Sequence, residues 1–156
     1  MRKDEFERLI IEYQSQMYRL ALSILKNEHD AEDVVGDAIL TAWECLSTLK
    51  DPTKFKFWIM TIIANNAKTF LRKKKRVELM DSLEDVGETV NAYDGSESEL
   101  WNAVMNLKEK HSKIIVLYYY FGFSVKEISK ILHLTQGTVK SRLSRGREAL
   151  RNHLEL

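Results

Sequence analysis

The sequence predicts an all-α protein: two small helical domains joined by a flexible acidic linker. Three observations predict it. The 156 residues include a single proline, Pro52, and six glycines, too few breakers for a many-stranded sheet. Apolar residues recur at helical rather than alternating spacing. Charge is also segregated along the chain. Residues 1–76 carry 14 Lys/Arg and 11 Asp/Glu, residues 77–100 no Lys/Arg and eight Asp/Glu, and residues 101–156 ten Lys/Arg and four Asp/Glu. The net charge of +1 therefore hides two basic modules and an acidic connector of −8. The predicted domains are 1–76 and 100–156, with 77–99 as the linker.

Composition also narrows the function. Cys45 is the only cysteine, so no intrachain disulfide forms and a reducing compartment fits. His29, His111, His133 and His153 lack zinc-ligand spacing, and neither a metal nor a cofactor is expected. The N-terminus has no apolar run of signal-peptide type, and no window reaches the roughly 18 apolar residues of a membrane span. A soluble, cytoplasmic protein is expected. The acids form no catalytic constellation, which argues against an enzyme.

The first helix is predicted over residues 5–26, with Phe6, Leu9, Ile10, Tyr13, Met17, Leu20, Ala21 and Ile24 at helical spacing. A second starts near Asp30, with Asp30, Glu32 and Asp33 favourably placed for the helix dipole. Its buried stripe is Val35, Ala38, Ile39, Ala42 and Leu46. The opposite face is Asp33, Asp37, Leu40 and Glu44, an apolar anchor with an acidic rim that suits a basic protein surface. Asp51 and Pro52 open a loop, and from about Phe57 a third helix runs to the basic cluster Arg72–Arg76. Its buried stripe is Ile59, Ile62, Ile63 and Phe70, and Thr61, Ala64, Asn65, Lys68, Arg72 and Lys75 lie on or near the other side. Before it, Lys54, Phe55, Lys56, Phe57 and Trp58 interleave cations with rings. That mixture suits single-stranded DNA, because cations hold the backbone while aromatic faces stack unpaired bases.

After the connector, Leu100, Val104, Leu107, Ile114, Ile115, Leu117 and Tyr118 can brace the last module, and the aromatic run Tyr118–Phe123 reads as core or hinge packing. Ser124 and Glu127 make an S-x-x-E capping box, with Val125, Ile128, Ile131 and Leu132 as the buried face behind it. Thr135 is a good N-cap for the final helix. Val139, Leu143, Gly146, Leu150 and Leu154 form one stripe of that helix, and Gly137, Ser141, Ser144, Arg145 and Glu148 lie opposite. Two short capped helices around a tight turn read as a helix-turn-helix. Ser141, Ser144 and Arg145 suit base edges in the major groove, and Lys140, Arg142, Arg147 and Arg151 suit phosphates.

Three ordered segments resemble the extracytoplasmic-function (ECF) group of sigma factors in the sigma-70 family. DAEDVVGDAILTAW, FWIMTIIANNAKTFLRKKKR and FSVKEISKILHLTQGTVKSRLSRGREALR each follow one of that family's motifs, spanning roughly 6–76 (region 2) and 100–153 (region 4). Gly36 stands where the family usually has Gln, and Thr69 where Asp or Asn is common. The resemblance implies a subunit that directs RNA polymerase to promoters. It implies that Asp33, Asp37, Leu40 and Glu44 dock on the β′ clamp helices and that region 4 meets the β flap. Asn65 and Lys68 would read and open the −10 element, and the Lys54–Phe57 loop would capture a flipped base. Lys140, Ser141, Ser144 and Arg145 would face the −35 element. An anti-sigma factor, often membrane-bound in the family, is implied as a regulator. With Leu156 last, no additional C-terminal domain is expected. The rival reading is a dimeric helix-turn-helix regulator of duplex DNA, which would bind a palindrome without polymerase.

Overall fold

A computed structural model describes residues 1–81 and 98–154. The seven α-helices among the described residues are α1 (Lys3–Leu25), α2 (Glu28–Glu44), α3 (Phe55–Asp81), α4 (Glu99–Met105), α5 (Glu109–Ile115), α6 (Val125–Leu132) and α7 (Gln136–His153). No strand occurs among these residues, as the sparse breakers predicted. The predicted acidic linker lies mostly outside them.

The first region is a three-helix bundle of α1, α2 and α3. The predicted α1 stripe is largely buried, with Met17, Leu20 and Ala21 fully enclosed. Lys26 ends α1 in the left-handed conformation (φ 59°), its N–H bonded to the Leu22 carbonyl. Asn27 follows at once as N-cap, its side chain accepting from the Asp30 N–H at 3.0 Å. The cap is therefore Asn27, and α2 starts two residues before Asp30. Lys74 on α3 reaches back to the Asp30 carboxylate at 2.7 Å.

The second correction concerns Asp51–Phe57. The Asp51 carboxylate accepts from the Thr53 N–H and hydroxyl (3.0 and 2.7 Å), which holds its titration below the ordinary value. Pro52–Lys54 then form one tight 3₁₀ turn that leads directly into α3 at Phe55. The helix starts earlier than predicted and continues past Arg76 to Asp81.

In the second region α4 and α5 brace the capped pair α6 and α7. Ser124 and Glu127 make both bonds of the capping box, at 3.1 and 2.9 Å. Between α5 and α6 the aromatic run opens with a π-helical turn, Val116–Tyr120, which buries Val116 and Leu117 while exposing Tyr119. Gly146 of α7 faces α5, and a Cβ built there would lie 3.4 Å from both His111 and Ile115. Gly146→Leu should therefore overpack this junction and destabilise the protein by about 1–3 kcal/mol, read by chemical denaturation.

The two regions do not stand apart. Their buried residues form one continuous core, with α1 against α5 and α3 against α6. Ser112 donates to the Ser23 carbonyl and Lys26 to the Met105 carbonyl, each at 2.7 Å. Lys56 donates to the Phe121 carbonyl at 2.6 Å, and the Arg19 guanidinium lies 4.8 Å from the Trp101 ring centre. The sequence leaves the relative placement of the two modules open, and this closed packing sets it. Its cause lies in residues that sequence periodicity assigns only to each module's own core.

Burial of Lys26 lowers its pKa from 10.5 to about 7, opposed by Glu109, whose charge raises it. A depressed folded-state pKa costs the fold its full penalty below that pKa, and the penalty is relieved as pH rises toward the unfolded value. Stability should consequently rise from pH 7 to pH 9, by about 2 kcal/mol on the linkage relation. Lys26→Met should flatten that slope, as measured by denaturation at each pH.

Candidate nucleic-acid interface

The Thr135 hydroxyl caps α7 through the Thr138 N–H at 3.1 Å. Val139, Leu143 and Gly146 point into the core, which fixes the rotation of the helix. That rotation leaves Lys140, Ser141, Ser144, Arg145, Arg147 and Arg151 on the exposed side, with Gly137 and Glu148. Small side chains at Gly137, Ser141 and Ser144 let the backbone approach a groove closely. Arg147 is partly oriented, since its guanidinium donates to the Tyr119 hydroxyl at 2.8 Å. Arg142 is the exception among the predicted phosphate contacts: it is half-buried and turns into the cleft between the two regions.

On α3, Asn65, Lys68, Arg72 and Lys75 share that same cleft. Its opposite wall carries Lys110, Lys113, His133 and Arg142. The Asn65 side-chain oxygen lies 3.1 Å from His133 Nε2, so this predicted DNA-facing side chain already holds a partner from the other region. The interleaved segment 54–58 is divided. Lys54 is exposed, whereas Phe55 is 1% exposed and packed among Phe6, Tyr13 and Trp58. In this arrangement Phe55 is a core ring with no face free for a base, because the early start of α3 turns it inward. Phe57 meets Phe123 edge-on, with ring centres 6.2 Å apart, and Lys56 lies over Phe121 and Phe123. Trp58 is half-buried and donates its indole N–H to the Thr48 hydroxyl at 3.0 Å.

The α2 face is fully displayed. Asp33, Asp37 and Glu44 are exposed, and Leu40 is 64% exposed between them. Trp43, three residues further along the same face, is 47% exposed. Trp43 lies outside the face expected from the sequence, and its i+3 spacing from Leu40 is the signal that adds it. Gly36, at the position where the resemblance has Gln, sits in open space with nothing within 4 Å of a built Cβ. No packing demands glycine there. Gly36→Ala should stabilise the fold by about 1 kcal/mol, a rise of about 3 °C in melting temperature.

Lys110 and Lys113 were not among the predicted site residues. The run KEKHSK at 108–113 is visibly basic, but only packing brings it opposite α3. The His111 pKa is lowered first by burial and then by Lys110, Lys108, Arg142 and Arg145. Four cations thus lie near enough to His111 to disfavour its charged form.

Known proteins share both halves of this architecture. The profile of Sigma-70 region 2 matches residues 9–77, and that of Sigma-70, region 4 matches residues 97–150. "RNA polymerase sigma factor SigV" of Bacillus subtilis is 32% identical over 151 residues, covering 93% of this chain and 88% of that protein. "ECF RNA polymerase sigma factor SigW" of the same organism is 31% identical, covering 97% of this chain and 90% of that protein. Among solved structures, the sigma factor RpoE in complex with the anti-sigma factor NepR from Bartonella quintana superposes with a TM-score of 0.79 at 26% identity, covering 97% of this chain and 98% of that one. CnrH in complex with the cytosolic domain of CnrY superposes at 0.66 and 25% identity, covering 99% of this chain and 90% of that one. These relatives favour the polymerase-subunit reading over a dimeric regulator. A helix-turn-helix following a three-helix bundle with a displayed α2 face, matched along nearly its whole length, places this chain in the ECF group of the sigma-70 family of RNA polymerase sigma factors.

Proposed function

We propose that residues 1–76 dock on the polymerase core and engage the −10 element, and that residues 100–156 read the −35 element as duplex. The supporting observation is the separation of three surfaces on one chain. An acid-rimmed apolar face is exposed on α2, and exposed cations lie on α3 and on α7. Acidic rims repel DNA and suit a basic protein surface, here the β′ clamp helices. The apolar groove on region 4, lined by Leu100, Tyr119 and Leu150, is the candidate seat for the β flap.

The closed packing engages Lys56, Phe57 and Asn65 with the second region. Engagement of the −10 strand by these side chains therefore requires the two regions to separate. We place the protein in the cytoplasm, as a non-catalytic specificity subunit held in check by an anti-sigma factor. The decisive experiment is transcription in vitro with core polymerase, with and without this chain, mapped for start sites. New discrete starts are expected, and an unchanged start pattern overturns the reading. Cys45, exposed and alone, offers a labelling position on the first region. Energy transfer from it to a label at Ser144→Cys, placed selectively, should fall when core polymerase is added.

A further inference from the structure

The cleft between the two regions encloses about 590 Å³, within the usual range for small-ligand sites. One wall is α3, with Lys68, Arg72 and Lys75. The other carries Lys110 and Lys113 from α5 and Arg142 from α7. Its floor is apolar, with Ile24, Leu71 and Ile131 among the lining residues. Glu109 is the one carboxylate lining it, and Lys113 already holds that group at 2.6 Å. No ion pair among the described residues neutralises the remaining cations. Cations from two regions thus line one cleft, where an entering anion would meet donors from both walls.

We propose that this cleft binds a compact polyphosphate anion that bridges the two regions in their closed arrangement. A short phosphate chain presents several oxygens to donors on both walls. Because its two walls belong to different regions, the site exists only while they are packed together. A ligand there stabilises the closed protein by mass action and opposes separation of the regions. The role goes beyond promoter recognition. It also involves Lys110 and Lys113, which that recognition does not use.

The test is calorimetric titration of the full chain with inorganic tripolyphosphate and, separately, with ATP; both carry three linked phosphates. Saturable one-to-one binding is expected. Lys110→Gln on one wall and Lys75→Gln on the other should each raise the dissociation constant by about tenfold, from loss of one charge-assisted contact. Lys126→Gln, outside the cleft, should leave it within about twofold. Equal affinities for the two anions assign the site to the phosphate chain itself, and tighter ATP binding assigns it to a nucleotide. Thermal melts of each variant without ligand establish that it is folded. No saturable binding of either anion, or an equal loss in the Lys126 variant, overturns the proposal. Neither outcome bears on polymerase recruitment, since no polymerase is present.

Discussion

Replacing Leu40 and Asp37 together by alanine is expected to weaken binding to core polymerase by about 30-fold or more, with the fold intact. Leu40 is 64% exposed on α2 and packs against nothing that holds the bundle together. An apolar side chain held out in water by a rigid helix is suited to anchor an interface, and such central anchors cost about 2 kcal/mol or more when truncated. Asp37 lies three residues before it, exposed and without an ion-pair partner among the described residues. Its removal takes away part of the acidic rim and slows electrostatically steered association. Alanine keeps the helix, and the Thr41 hydroxyl still donates to the carbonyl of residue 37. Affinity measured with a labelled chain and purified core enzyme decides the matter. Wild-type affinity in the double variant discards α2 as the docking face. Trp43→Ala should weaken binding in the same assay, because its ring extends the apolar patch.

The second large effect is expected at Arg145. Arg145→Ala should reduce preference for the cognate −35 sequence by about 10- to 100-fold, the cost of about 1–3 kcal/mol for a lost base-edge contact. The residue is exposed on the outward face of α7 beside Ser141 and Ser144, where the backbone can approach a groove. Arg147 provides the contrast. Its guanidinium is held by the Tyr119 hydroxyl, off to the flank, where phosphates rather than bases would lie. Arg147→Ala should weaken binding by a similar factor on all sequences and shallow the salt dependence by about one ion. Competition between cognate and scrambled promoter fragments, at two salt concentrations, separates the two behaviours. Unchanged sequence preference in the Arg145 variant removes it from base recognition, and its binding to core polymerase should be unaffected.

The helix-turn-helix was legible because each of its signals is local. Ser124, Glu127 and Thr135 are backbone-capping residues whose partners lie three positions away, and all make the predicted bonds. The rotation of α7 was equally legible, since Val139, Leu143 and Gly146 repeat at helical spacing. Helical spacing likewise makes the exposure of Asp33, Asp37, Leu40 and Glu44 on α2 legible. Phe55 lies in the core, although a Lys-aromatic alternation is compatible with either a stacking loop or a helix start. The tight turn made by Asp51, Pro52 and Thr53 settles it as a helix start.

Sequence alone determined the all-α class, the segregation of charge into two basic modules, the capped helix-turn-helix and the family. Each depends on periodicity, capping chemistry, composition or the order of motifs along the chain, all of which are written in the linear sequence. Tertiary structure alone decided that the modules close on each other. It also decided that Lys26 is buried against Met105, that Asn65 meets His133, and that Lys110 faces Lys75 across a shared cleft. These pairings join residues 35 to 79 positions apart in the chain. Periodicity records which face of a helix is apolar, but nothing in it specifies which distant surface that face will meet.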